Sequence, residues 1–505
     1  METKLVSQAI QNIACDALIV GAARSGKSQE SKNGAVFFSA TKEVDRLLDG
    51  LLTSIYANGE FKANPGEITE IYTMGKLVAR RVIMVGLGNA ETLEGHIFRR
   101  AAGIAVRFAQ NKGAHTVALA LDADASEGLQ AAVEGALLGV YHFKKYLTSQ
   151  SNTLGIESLQ FVSKNADSAT LQTAFKQGIV MAEATNFARD LVNEQPAVLT
   201  PTELANRASA MARQFQLECT ILEQPQIAEL GMGGLLAVAK GSAEPPRFII
   251  LRYRGAPQST EKEIALVGKG ITFDTGGISI KPAAGMESMK GDMGGGAAVI
   301  GAMQIIAALK PAINVLGLVP TSENMPDGAS YHPGDVLRLM NGKTIEIINT
   351  DAEGRLALAD ALSYAVHEGC SPIIDIATLT GGCVVALGGK RGGLFSNDED
   401  LSAALMTTSA TTGEKFWPLP LDDEYAEFIE SHIADVKQTG GRYGSAITAA
   451  KVLEHFVGEA SWAHLDIAGM ELVEGRGSFI EPGASGMGAR ALATFVLQQA
   501  KQNEH

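Results

Sequence analysis

Two stretches of this chain concentrate acids, lysines and glycines in a way that could do chemistry. The first reads VGKGITFDTGGISIKP from Val267 and continues to KGDMGGG at Lys290–Gly296; it contains Lys269, Asp274, Lys281 and Asp292. The second is Asn349–Leu356, NTDAEGRL, with Asp351, Glu353 and Arg355. If Asp274, Asp292, Asp351 and Glu353 converge, four carboxylates share one pocket. Unscreened, they would raise one another's pKa and destabilise the fold. Two divalent cations carry the equal and opposite charge, and oxygen-rich ligation suits Mn²⁺, Mg²⁺ or Zn²⁺. Two such ions about 3.5–4 Å apart can share a water and lower its pKa toward neutrality, which supplies a hydrolytic nucleophile without serine or cysteine.

The elements around these stretches have to bring them together. Each stretch follows an apolar run, Ile264–Val267 or Ile345–Ile348, and leads toward a helical one, Ala297–Leu309 or Leu356–His367. In open α/β sheets ligands bind beyond the carboxyl ends of the strands. The i, i+2 spacing of Asp351 and Glu353 predicts an extended segment with both side chains on one side. The helix starting near Leu356 would aim its positive end at them. Gly268, Gly270, Gly276, Gly277 and Gly294–Gly296 would let backbone approach a ligand closely; turns and tight helix packing would use the same residues.

Further apolar runs at Phe248–Tyr253, Val315–Val319 and Ile373–Ile376 predict strands of a sheet covered on both faces. Earlier in the chain, runs at Ala17–Gly21, Val82–Gly86 and Thr116–Leu121 alternate with a helix from about Leu93 to Gln110, again α/β in character. Leu171, Phe175, Ile179, Ala182 and Phe187 recur at helical spacing before Pro196 and Pro201 break the pattern. The expected architecture is α/β in two domains. A smaller N-terminal α/β domain spans 1–165 and a connecting helix 166–195. A larger catalytic α/β domain, with a mixed central sheet flanked by helices, spans 196–505.

The 505 residues carry a net charge of -14, which disfavours non-specific binding to nucleic acid or anionic membrane. Lys144–Lys145 and Arg99–Arg100 are the densest basic spots and read as solvated helix faces. Cys15, Cys219, Cys370 and Cys383 are far apart and predict no disulfide framework. The N-terminus lacks a secretory pattern, and the longest uncharged stretch, Met293–Leu309, is shorter than the roughly 20 residues of a membrane span. A cytoplasmic protein is expected.

The NTDAEGRL motif resembles the signature of the leucyl aminopeptidase (cytosol aminopeptidase) family of metallopeptidases. GKGITFDTGGISIKP, Asp375–Gly381 and Trp462–Gly469 also resemble that family's blocks, so similar segments run from about Asn193 to Gly469. The first 165 residues match weakly. An eight-residue signature with three ordered blocks is far more specific than a short motif alone.

The resemblance implies a two-metal aminopeptidase with Leu-type preference, acting on peptides with a free N-terminus. Two divalent metals per subunit, Mn²⁺ or Zn²⁺, are implied. Lys269, Asp274, Asp292 and Glu353 would hold one, and Asp274, Asp351 and Glu353 the other. Lys281 and Arg355 match the catalytic positions: Lys281 would stabilise the oxyanion, and Arg355 would hold a bicarbonate that shuttles the proton. A homohexamer is also implied. Met289, Thr378, Gly381, Ala468 and Met470 are candidates for the wall of the substrate pocket; for the methionines, core packing is the competing assignment.

Two other functions compete: an additional DNA-binding architectural role, because some bacterial relatives that resemble this chain have one, and a metal phosphohydrolase. Gly86-Leu-Gly88-Asn89 lacks the third glycine of a dinucleotide fingerprint and is expected to be a strand-to-helix turn. His464 is expected to be a structural, hydrogen-bonded histidine, and Asp375 and Asp466 supporting residues. Lys437 and Gln438 stand where family members often carry an asparagine; neither is expected to touch the ligand set.

Overall fold

The structure, a computed structural model, describes residues 1–25, 34–122, 126–148, 155–473 and 479–503. The chain divides into two compact units, 1–183 with 475–482 and 184–474 with 483–505, the division falling inside the helix Ala169–Asn193. Both are α/β, as expected from the alternating apolar runs.

The first unit is built on a seven-stranded sheet: β1 (Glu2–Val6), β2 (Ala17–Arg24), β3 (Ala35–Phe37), β4 (Ile68–Tyr72), β5 (Arg81–Asn89), β6 (Thr116–Ala120) and β7 (Ser158–Val162). Its order is β1-β7-β6-β2-β5-β4, with β3 beside β2. Gly86 and Gly88 lie inside β5, where they were expected to form a turn; a Cβ on Gly86 would sit 2.0 Å from the Asn64 carbonyl oxygen. Helices Gly95–Asn111 and Ser126–Gly139 pack almost backbone to backbone. A Cβ on Gly135 would lie 1.9 Å from the Arg99 carbonyl oxygen. That closeness corrects one expectation: Arg99 is enclosed rather than solvated, its Nε 2.7 Å from Glu134 Oε2. Lys144 and Lys145 are exposed, on a turn and not a helix.

The second unit centres on a mixed sheet whose strands are β8 (Glu218–Leu222), β9 (Arg247–Arg254), β10 (Ile264–Gly268), β11 (Gly270–Asp274), β12 (Asn314–Asn324), β15 (Ile373–Ala377), β16 (Gly392–Ser396), β17 (Phe416–Pro418) and β19 (Trp462–Asp466). They run in the order β17-β16-β19-β15-β10-β12-β9-β8, with β11 beside β12. β19, β15, β10 and β12 are parallel neighbours, so their carboxyl ends open on one edge. Ala265 and Val267 of β10 share a buried cluster with Leu316, Leu318 and helix Gly354–His367. The alternate residues face the other way. Helix Gly294–Leu309 packs against β10, β12, β15 and helix Ala489–Asn503. Together with the turn before it, this helix is long and apolar enough to cross a membrane, but its apolar part is mostly buried within the fold. It is a core helix.

A small third sheet, β13 (Val336–Arg338), β14 (Thr344–Glu346) and β18 (Val436–Lys437), stands apart. The run Ile345–Ile348 was expected as a strand of the main sheet and belongs here instead. Past Glu346 the Ile347 N–H still reaches the Asp335 carbonyl beside β13 (2.8 Å), and the Ile348 N–H then turns to the Gln438 side chain (3.2 Å), where the ladder stops. All four cysteines are unpaired. Burial pushes the thiols of Cys15, Cys370 and Cys383 up to about 12, which makes them poor nucleophiles at neutral pH.

Candidate metal centre

The acids and lysines come from four places along that open edge. β10 ends at Gly268 and Lys269 follows, its N–H on the Ile376 carbonyl (3.1 Å). Its buried side chain runs past Gly354, where a Cβ would meet Lys269 Cε at 2.5 Å. Only glycine leaves that passage open. β11 ends at Asp274, in register with Asn324 at the end of β12. Asn324 Nδ2 donates to Asp274 Oδ1 (2.8 Å) and to the Thr350 carbonyl (3.0 Å), so one amide ties the strand end to the NTDAEGRL loop. Asp292 closes the 3₁₀ turn Met286–Gly291 and accepts from Thr378 Oγ1 (2.7 Å).

The loop itself departs from the extended geometry its spacing suggested. Asn349 Oδ1 accepts from the Asp351 N–H (3.0 Å), which winds Thr350–Ala352 into a 3₁₀ turn, and Glu353 becomes the N-cap of helix Gly354–His367. That helix is anchored below by Asp360, whose carboxylate accepts the N–H groups of Leu235 and Met340, both at 2.9 Å.

The turn still brings the acids together. Carboxylate oxygens of Asp274, Asp351 and Glu353 lie within 4.8 Å of one another. Lys269 Nζ joins Asp292 to them, 2.8 Å from Asp292 Oδ1, 2.7 Å from Glu353 Oε1 and 3.1 Å from the Thr378 carbonyl oxygen. Lys281 Nζ lies 2.8 Å from Asp274 Oδ2 and also pairs with Asp351. Burial raises the pKa of Asp292, Asp351 and Glu353. Burial works against both ammonium groups, but the surrounding carboxylates outweigh it and hold Lys269 and Lys281 above the usual range. Arg355 is buried, donates from Nη1 to the Gln438 carbonyl (2.8 Å), and has an Nε without a partner; burial lowers its pKa to about 10.

The five residues expected to line a substrate pocket are less tightly gathered; Met470 sits in the turn after β19, its N–H on the Ile467 carbonyl (2.8 Å). Thr378 is in the cluster. Met289 lies on the turn whose carbonyl accepts the Asp292 N–H, Gly381 opens helix Gly381–Leu387, and Ala468 follows β19. Asp466 ties two of these segments: its carboxylate accepts from the N–H groups of Leu379 (3.2 Å) and Ala468 (3.1 Å) and from Thr380 Oγ1 (2.6 Å). Of the glycines, Gly276 and Gly277 have positive φ beside Asp351 and Asn324. Gly295 serves packing, since a Cβ there would sit 2.0 Å from the Ile376 carbonyl oxygen.

Sequence reasoning missed Asn324, Thr350, Gly354 and the part played by Gln438. The first three lie at a strand end or inside the motifs, where a search for polar residues adjoining them could have found them. Gln438 was correctly set outside the carboxylates, but it holds the backbone that carries them. Its Oε1 accepts from the Ile348 and Asn349 N–H groups, both at 3.2 Å, and its Nε2 donates to the Ala352 carbonyl (2.9 Å).

His464 is fully buried, with Nδ1 2.6 Å from Asp375 Oδ1; Trp462 Nε1 donates to Asp375 Oδ2 (2.8 Å). Burial alone would depress the imidazole pKa, but Asp375 outweighs it and the net shift is upward. The folded pKa therefore exceeds the unfolded value of about 6.5. The pairing stabilises fully below that value and is lost as pH rises through the folded pKa. His464→Gln is expected to cost the most stability near pH 5–6 and progressively less above pH 7, as measured by thermal melts. An equal cost at every pH would show the imidazole neutral throughout.

The donor set suits hard cations. Asp292 Oδ2 and Glu353 Oε2 are buried without a hydrogen-bond partner. A carboxylate oxygen in that condition is costly unless a cation compensates it.

Comparison with known proteins agrees in extent and in kind. Residues 186–493 match the model of the cytosol aminopeptidase family, catalytic domain, and residues 19–150 that family's N-terminal domain. A probable cytosol aminopeptidase of Solibacter usitatus is 47% identical over 88% of this chain and 92% of its own length. One from Alkaliphilus oremlandii is 42% identical over 99% and 100%. Among solved structures, a tomato leucine aminopeptidase mutant matches with a TM-score of 0.86 at 32% identity, covering 99% of this chain and 96% of its own. The bottromycin maturation enzyme BotP in complex with Mn matches at 0.83 and 34%, covering 96% and 100%.

Proposed function

This chain belongs to the cytosol aminopeptidase family and is a metallo-aminopeptidase of leucyl type, and from that premise we propose that its carboxylate–lysine cluster is a two-cation hydrolytic centre. The observation that carries the proposal is the approach of Asp274, Asp351 and Glu353 oxygens to within 4.8 Å, with Asp292 joined to them through Lys269.

In this reading Lys269 as the neutral amine, with Asp274, Asp292 and Glu353, would hold one divalent ion, and Asp274, Asp351 and Glu353 would hold the other, with Mn²⁺ or Zn²⁺ the resident metals. Bound there, such cations lower the pKa of water and polarise a carbonyl. The protein's own groups do the rest. Lys281, whose Nζ lies 2.8 Å from Asp274 and also pairs with Asp351, would donate as an ammonium to the oxygen on which charge develops. Every acid of the two motifs is assigned to a cation, and a bicarbonate held by Arg355, which the family resemblance implies, would accept and return the proton. Met289, Thr378, Gly381 and Ala468 bound the space for the N-terminal side chain. The substrate is a peptide with a free N-terminus, because only its first residue offers an amine beside the scissile carbonyl. A homohexamer in the cytoplasm completes the proposal, in keeping with relatives named cytosol aminopeptidases. No observation favours the DNA-binding role or phosphate-ester hydrolysis.

The test is release of p-nitroaniline from leucine p-nitroanilide. Thorough chelation is expected to lower the rate by at least about a hundredfold, and Mn²⁺ or Zn²⁺ to restore it. A rate that survives chelation would refute the metal centre.

A further inference from the structure

Gln438 is fully buried, and both polar atoms of its side chain bond to the backbone between Ile348 and Ala352. It follows β18, whose residues Val436 and Lys437 pair with Ile345 and Glu346 of β14, and its own N–H continues that ladder onto the Glu346 carbonyl (2.9 Å). Beyond this point β14 has ended, and the side chain takes over from the strand. Oε1 receives two consecutive N–H groups, Ile348 and Asn349, and Nε2 reaches forward to the Ala352 carbonyl. The Gln438 carbonyl meanwhile accepts Arg355 Nη1. Asp351 and Glu353 thus hang on a turn whose backbone is held on both sides of Asp351 by one amide, while the main chain of that residue fixes the direction of Arg355. A carboxamide satisfies this arrangement because it accepts at one end and donates at the other. A carboxylate of the same shape would set a second acceptor against the Ala352 carbonyl.

We propose that Gln438 is a positioning residue of the hydrolytic centre: its side-chain amide sets the turn that presents Asp351 and Glu353, and its carbonyl sets the aim of Arg355. The inference rests on the metal-centre reading above. It predicts an effect on cation affinity and turnover, because supporting groups of this kind typically contribute 10–100-fold to metal affinity or activity.

Two substitutions separate positioning from bulk stability. Gln438→Glu keeps size and the acceptor for the two N–H groups but loses the donor; Gln438→Met keeps length and loses both. The measurements are Mn²⁺ affinity by calorimetry on chelator-stripped protein, kcat and KM on leucine p-nitroanilide at saturating Mn²⁺, and circular dichroism. Both variants are expected to fold, to bind Mn²⁺ about 10–100-fold more weakly, and to lose kcat by a similar factor with KM moved far less. In Gln438→Glu the ratio of variant to wild-type kcat should rise as pH falls from 8 toward 5.5, because the protonated carboxyl again donates to Ala352; in Gln438→Met the ratio stays flat. If Gln438→Met fails to fold, the pH course of Gln438→Glu decides alone.

Folded variants with kcat and Mn²⁺ affinity within twofold of wild type would overturn the inference, as would a lowered melting temperature with unchanged kcat, or a flat pH ratio in Gln438→Glu. A wild-type chain that neither binds Mn²⁺ nor cleaves the anilide would overturn the site reading and this inference with it. Normal wild-type behaviour with variant ratios near one would overturn this inference alone.

Discussion

Glu353→Gln is expected to lower kcat by at least about a thousandfold, roughly 4 kcal/mol of transition-state stabilisation. The side chain is 1% exposed, with Oε1 held by Lys269 and Oε2 buried without a partner. The amide keeps the shape but halves the number of oxygens and removes the charge. Glu353 is proposed to contact both cations, so no neighbouring carboxylate can substitute for it. An opposing effect makes the experiment informative. Burial and the nearby Asp274 raise the Glu353 pKa, so an anion here is under strain when no cation is present. The chelated variant should therefore melt no lower than chelated wild type. The stabilisation by Mn²⁺, about 2.7 kcal/mol at a hundredfold excess over Kd, should shrink sharply. A variant that keeps a tenth of wild-type kcat would show that Glu353 is not a bridging ligand.

The second large effect is expected at Lys281. Lys281→Met should lower kcat about 10²–10³-fold with little change in KM, the pattern for a donor that acts on developing charge and contributes little to ground-state binding. In the ion-free cluster Asp274, Glu353 and Asp351 outweigh the burial of Lys281 and hold it above the normal lysine range. Lys269 has the same upward shift in the ion-free cluster, but it is 3% exposed and enclosed by Asp292, Glu353 and the Thr378 carbonyl; it can ligate a cation only as the neutral amine, so a neighbouring dication has to displace its proton. If Lys281 served only as a counter-charge to Asp274 and Asp351, the variant would lose melting temperature while kcat per folded chain stayed normal. Steady-state kinetics beside thermal melts distinguishes the two.

Much of this was legible in the amino-acid sequence, for identifiable reasons. Continuous apolar runs marked β9, β10, β12 and β15, because a strand buried on both faces needs no polar alternation. Asp274, placed shortly after the β10 run, had to lie at the open edge of the sheet; Asp292, Asp351 and Glu353 reach it from a 3₁₀ turn and from the loop after the small sheet, and the four do converge. What stayed hidden depended on distant partners. Ile345–Ile348 has strand composition, yet it pairs with the short β13 and β18, and from Ile348 on its N–H goes to the Gln438 side chain instead of a strand. The spacing of Asp351 and Glu353 is equally compatible with an extended segment and a 3₁₀ turn; Asn349 decides for the turn. Arg99 looked solvated because nothing local shows that glycines let a second helix close over it. Periodicity reports which face of an element is apolar, and does not report what that face will meet.

The passage through Gly354, the Asn324 amide and the Gln438 clamp have a joint bearing on enzyme engineering. Transplanted alone, NTDAEGRL would be an inert octapeptide. Its shape is imposed by groups lying 26 and 86 positions away along the chain, and its glycine matters because a lysine 85 positions upstream must thread past it. A host scaffold would have to supply those struts and that gap before the borrowed letters could work.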